Sequence, residues 1–161
     1  MGVKFNALLC YEILKAARTV PEFFVLPADD GLYRYDTLSI NVIVSNAKGG
    51  INSCDILWSD DWTQFYADYL QRTRYVAEHC ESLYSTESMV VGTSNLIQTE
   101  LDGIVNQYSK KFSNPFLAWG KVQRSLLRRE LPISFQFHHV QMDGSQAATF
   151  LQRLQEGIRE R

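Results

Sequence analysis

Between Leu131 and Phe150 the sequence reads LPISFQFHHVQMDGSQAATF, and its apolar period changes once within that stretch. Ile133, Phe135 and Phe137 alternate with polar residues, the period of a strand with one buried face. After Asp143-Gly144, Ala147, Ala148, Leu151 and Leu154 recur at helical spacing. A strand over Pro132–His138 feeding a helix over Ser145–Glu156 demands a sheet with a helical layer against it. Any fold for this chain must place two adjacent histidines, His138 and His139, at that joint.

The rest of the chain reads in the same terms. Phe5, Leu8, Leu9, Ile13 and Ala16 predict a helix from Lys4 to Arg18, stopped by Pro21. Phe23–Leu26 and Leu32–Tyr35 predict a hairpin turned by Asp29-Asp30-Gly31. Leu38–Val44 and Ile51–Leu57 predict strands around the turn Lys48-Gly49-Gly50. Ser59, Asp60 and Asp61 offer an N-cap for a helix reaching about Cys80. That helix carries an aromatic stripe, Trp62, Phe65, Tyr66, Tyr69 and Tyr75, read as core packing. Ser82–Ser88 reads as loop. Met89–Val91, Leu101–Val105 and Phe116–Val122 read as further strands, the last ending near Gly120-Lys121. The fold class expected is α/β (α+β), two-layer, a mixed β-sheet covered by helices.

Composition excludes several function classes. The 161 residues suffice for one domain with a core, and neither an internal repeat nor a long linker divides them. A net charge of -2 provides no broad counter-charge for nucleic acid, and the cluster Arg124, Arg128 and Arg129 reads as a solvated turn. The three cysteines, Cys10, Cys54 and Cys80, have neither metal-site spacing nor the even count of a disulfide framework. No metal is expected, and a reducing cytoplasm is. No apolar run approaches the roughly 20 residues that cross a bilayer.

A histidine at the end of a strand can project into a cleft, and its ordinary pKa of about 6.5 suits a general base. Two adjacent histidines can equally be one buried, hydrogen-bonded ring beside one exposed ring, and the residues alone leave both readings open. Asp143 lies four positions after His139, and a turn at Gly144 brings it back to support the loop.

His138-His139-Val140-Gln141-Met142-Asp143-Gly144 matches the HHxxxDG signature of coenzyme A-dependent acyltransferases. Together with Gly120-Lys121 and LPISFQFHH it resembles the chloramphenicol acetyltransferase-like family most. Lys4-Phe5, Pro21-Glu22-Phe23, Asp30-Gly31, Tyr35-Asp36 and Ser59 to Tyr69 follow the family in order. The resemblance implies an O-acetyltransferase moving an acetyl group from acetyl-CoA to a hydroxyl of a small molecule. It implies His139 as general base, Ser94 as donor to the tetrahedral oxyanion, Asp143 as brace of the loop and Lys121 near the coenzyme. Ser94 carries that role because Asp102 follows it by eight residues, the family's spacing; by itself Gly92-Thr93-Ser94-Asn95 reads as a turn. The resemblance also implies a homotrimer with sites between subunits.

The departures are specific. Residues 1–161 match a single such domain without the family's N-terminal strand and helix, and with them goes the arginine that pairs with the motif aspartate. Ile97 and Gln98 replace a Pro-Trp pair, Ala118 replaces a threonine, and Ile104, Asn106 and Tyr108 stand at positions that receive the drug in the family. These changes make chloramphenicol a doubtful acceptor, and the sequence does not name the acceptor. The alternative they leave open is a truncated, inactive relative acting as a binding or assembly protein.

Overall fold

The computed structural model describes residues 2–28, 30–105, 112–124 and 129–160. Helix α1 spans Phe5–Ala17. A 3-10 turn over Pro21–Phe24 leads into the hairpin of β1 (Val25–Ala28) and β2 (Gly31–Arg34). Strands β3 (Leu38–Ser45) and β4 (Ile51–Leu57) follow, then α2 (Trp62–His79) and β5 (Met89–Asn95). β6 (Phe116–Trp119) precedes the short pair β7 (Gln123–Arg124) and β8 (Arg129–Glu130). β9 (Ile133–Gln136) and α3 (Gly144–Arg159) complete the order.

Five strands form one sheet in the order β4-β3-β5-β6-β9. β3 pairs antiparallel with β4 and parallel with β5; β6 pairs parallel with β5 and antiparallel with β9. The sheet is therefore mixed, and the helices form a second layer: α1 contacts α2, α3 and β3, and α2 contacts β4. The expected fold class holds.

Because side chains alternate across a strand, the register sorts residues by face. Leu38, Ile40 and Val42 of β3, Cys54 and Ile56 of β4 and Met89 and Val91 of β5 share the buried face. Phe135 of β9 packs there too, its ring 4.8 Å from Phe150 of α3, while Phe150 lies 4.7 Å from Phe23. α1 fills the middle. Ala7, Leu9, Cys10, Tyr11, Ile13, Leu14, Ala16 and Ala17 are all buried, so almost its whole circumference is core.

Local chemistry sets the ends of α2. Asp61 caps it by accepting the Thr63 amide at 2.7 Å, and Cys80 closes it in the left-handed region at φ 58°. Its inward stripe is Phe65, Tyr69, Thr73 and Val76. Trp62 and Tyr66 pack at the margin of the core, but Tyr75 is exposed, because that position lies off the stripe.

Four local expectations need correction. Leu101–Val105 is not a strand; its backbone runs as an irregular loop. β5 continues from the expected Met89–Val91 through Gly92-Thr93-Ser94-Asn95, because those residues pair with β6. β6 stops at Trp119, short of Val122, because the chain turns at Gly120. In α3 the buried residues are Ala147, Phe150, Leu154 and Gly157, whereas Ala148 and Leu151 are exposed. Phe150 draws the helix toward the Phe23 and Phe135 rings and so sets that phase. Asp29, Asn106, Tyr108 and Arg128 lie outside the described residues.

Candidate functional site

β9 ends at Gln136, and the chain then closes a single turn in which the amides of Gln141 and Met142 both donate to the His138 carbonyl, at 2.8 and 3.3 Å. Met142 and Gln141 are buried, at 3% and 5% exposure. They anchor the turn from below and leave His139 and Val140 at its exposed crest. The two histidines have different lots. His138 is half-buried, and its Nδ1 accepts the Val140 amide at 3.1 Å. His139 is exposed, with its ring edge-on to Phe137 at 6.2 Å. No hydrogen bond engages the His139 ring among the described residues. The pair is thus one half-buried, hydrogen-bonded ring, His138, beside one exposed ring, His139.

Asp143 is the N-cap of α3. Its Oδ1 accepts the Ser145 amide at 2.7 Å and the Ser145 hydroxyl at 2.8 Å, while its own amide donates to Gln146 Oε1 at 3.1 Å, completing a capping box. The Ser145 hydroxyl bond, then the Ser145 amide, hold its carboxyl below the usual carboxylate value; the Gln146 contact and the charge of His139 add lesser contributions. The carboxylate is exposed, so it needs no buried cation. It caps the helix that follows the histidine turn.

Ser94 sits in β5 opposite Ala118 of β6, which in turn sits opposite Ser134 of β9. Alternation places these three on the face away from the helices, while Thr93, Leu117 and Phe135 face them. Ser94 is half-buried. Two positions earlier only glycine fits: a Cβ on Gly92 would stand 2.6 Å from the Phe116 ring. The Ser134 hydroxyl donates to the Ile104 carbonyl at 2.9 Å, so the loop after β5 crosses this face. Asp102 lies exposed in that loop.

Lys121 follows β6 and is exposed, its Nζ 3.9 Å from a Glu100 carboxylate oxygen. Its amide donates to the Thr99 carbonyl at 2.9 Å. That same carbonyl would stand 2.8 Å from a Cβ at Gly120, so glycine lets the two loops touch. An exposed ion pair this long is weak.

Two concavities, of about 340 and 440 Å³, lie elsewhere on the chain, along α2, lined by residues such as Gln71, Arg72 and Tyr75. Neither is lined by His139, Ser94 or Lys121. β9 runs antiparallel to β6, so His139 emerges beyond the Phe116–Gln136 rung, away from the rung of Ser94. Gln141 is unmarked in the sequence, where a lone glutamine between motif letters gives no signal of burial. No group of three potential metal ligands occurs among the described residues, and no helix there is long and apolar enough to cross a membrane.

A family model described as chloramphenicol acetyltransferase matches residues 1–155. Among solved structures, a chloramphenicol acetyltransferase superposes with a TM-score of 0.76 at 19% identity, over 96% of this chain and 77% of that one. The dihydrolipoamide acetyltransferase of Azotobacter vinelandii superposes with a TM-score of 0.70 at 18% identity, over 94% and 67%. In that enzyme a serine, a histidine and an asparagine four positions after the histidine have been studied for a role in catalysis. A probable dihydrolipoamide acetyltransferase from Listeria monocytogenes gives 0.67 at 14% identity, over 98% and 71%. Among curated proteins none matches the chain in sequence.

Proposed function

Since the chain belongs to the chloramphenicol acetyltransferase family, we propose that it is an O-acetyltransferase that uses His139 to move an acetyl group from acetyl-CoA to a hydroxyl of a small molecule. The observation that carries this reading is the contrast within the histidine pair: the His138 ring accepts a hydrogen bond inside the turn, while the His139 ring is exposed and makes no hydrogen bond among the described residues.

A free ring nitrogen of His139 takes the proton of the acceptor hydroxyl, and the oxygen attacks the thioester carbonyl carbon. The carbonyl becomes a tetrahedral oxyanion, which needs a donor already in place; the Ser94 hydroxyl supplies it. Collapse breaks the carbon–sulfur bond, and the departing thiolate recovers the proton from His139. Ester and free thiol result, with His139 restored. Lys121, exposed and loosely paired, suits the coenzyme's phosphates. Asp143 holds the start of α3 and thereby the exit of the histidine turn.

Ser94 and His139 leave the sheet at different rungs of one chain, which fits a site shared between subunits, with Ser94 of one copy facing His139 of the next in a trimer. In this reading residues 1–161 form a single domain of the family, and the cytoplasm is the compartment that supplies acetyl-CoA. Ile97 and Gln98, both exposed, replace the family's Pro-Trp pair and make chloramphenicol a doubtful acceptor.

Thiol release from acetyl-CoA, followed with a panel of hydroxylated acceptors beside His139→Ala, tests the proposal. Turnover lost in the variant is expected. A second reading, a binding or assembly protein without turnover, draws on the 67–77% of their length over which these relatives are matched. Absence of release with every acceptor selects it.

A further inference from the structure

We infer that Gln141 is a positioning residue for His139, clamping the histidine turn to the start of the β1–β2 hairpin. The inference rests on the reading of His139 as the base. Gln141 is 5% exposed, and its Nε2 donates to the Val25 carbonyl at 2.6 Å, across 116 positions of sequence. Its amide simultaneously donates to the His138 carbonyl. One residue therefore ties the histidine turn to itself and to β1.

Packing alone does not call for glutamine here. The side-chain Oε1 is buried without a hydrogen-bond partner among the described residues, and an unpaired buried acceptor is a net cost. Methionine, which fills the next position at 3% exposure, occupies similar space with no such atom. What glutamine adds is the Nε2 donor. Val25 is the first residue of β1, paired with Arg34 across the hairpin, so the donor meets backbone already held in register. The exposed ring two residues earlier is then fixed from both sides, by β9 before it and by Gln141 after it. That matters because a base displaced by a fraction of an ångström loses proton-transfer geometry.

Gln141→Met keeps the volume and removes the donor. The expected result is a kcat for thiol release lowered by about tenfold or more, with KM for acetyl-CoA within about twofold and a melting temperature lowered by no more than the loss of one hydrogen bond, offset in part by removal of the unpaired Oε1. Gln141→Glu donates only while protonated. Its kcat relative to wild type at the same pH is expected to fall as pH rises and the carboxyl, which burial holds above its ordinary pKa of about 4.3, ionises. In nitrogen-15 spectra the His139 ring signals of Gln141→Met are expected to broaden or shift from those of wild type. Wild-type kcat in a folded Gln141→Met overturns the inference and leaves His139 standing. Absence of turnover in wild type overturns the His139 reading instead. In that event ring signals identical in wild type and Gln141→Met remove the clamp as well.

Discussion

Ser94 and Ser134 share one rung of the sheet, on either side of Ala118, and His139 follows Ser134 by five residues along a strand that leaves this rung behind. A shared site between copies has a direct consequence. Ser94→Ala and His139→Ala proteins, each inactive or nearly so, are expected to recover part of the wild-type rate when unfolded together and refolded as a mixture. Loss of the serine donor alone is expected to lower kcat by about 10²–10³. Thiol release from the mixture, against each variant refolded alone, is the measurement; no gain on mixing places both groups in one chain's site or neither in any.

Phe150 joins the helix layer to the sheet. It is fully buried, within 5 Å of the Phe23 and Phe135 ring centroids. Phe150→Ala is expected to cost about 3–5 kcal/mol, read as a lowered urea midpoint with an unchanged slope. A change below 1 kcal/mol removes the three-ring contact as the anchor of α3.

The Asp143 cap predicts a pH dependence with a definite sign. Its carboxyl pKa is lower in the folded chain than the ordinary 3.8, so its contribution is present above that value and fades as pH falls through the folded pKa. Asp143→Asn keeps a capping oxygen but no charge. The difference in melting temperature between wild type and variant is expected at pH 7 and to shrink toward pH 3. A difference that stays constant assigns the effect to geometry rather than charge.

The cysteines predict a reactivity order. Cys10 and Cys54 are fully buried. Burial pushes the Cys10 thiol far up, with a smaller push from Cys54, and burial raises the Cys54 thiol to about 11. Since the thiolate is the nucleophile, both should resist alkylation in the folded protein at pH 8. Cys80, half-buried at the end of α2, is expected to react first, as peptide mapping after brief iodoacetamide treatment would show. Modification of Cys10 ahead of Cys80 contradicts the packing of α1.

Where a segment's own residues agreed with its surroundings, the sequence was enough. α1, β3, β4 and β9 appear where their apolar periods place them, within a few residues. Legibility failed where a partner distant in sequence decided. Gly92-Thr93-Ser94-Asn95 has turn chemistry by composition, yet pairing with β6 makes it strand. The phase of α3 follows Phe150, whose partners Phe23 and Phe135 come from two other elements. In the site, the motif pointed to the histidine pair and Asp143, but not to which histidine the turn consumes or to the burial of Gln141. Those depend on the Val140 amide and on Val25, contacts that no spacing rule encodes.

The nearly all-round burial of α1 bears on how the chain is made. The residues that shield this first helix come from α2, from the sheet and from α3 at the far end of the sequence. A ribosome releases the helix early and its final cover last. Until α3 has been made and has packed, the face of α1 that meets it lacks its cover, and an incomplete core of this kind is aggregation-prone.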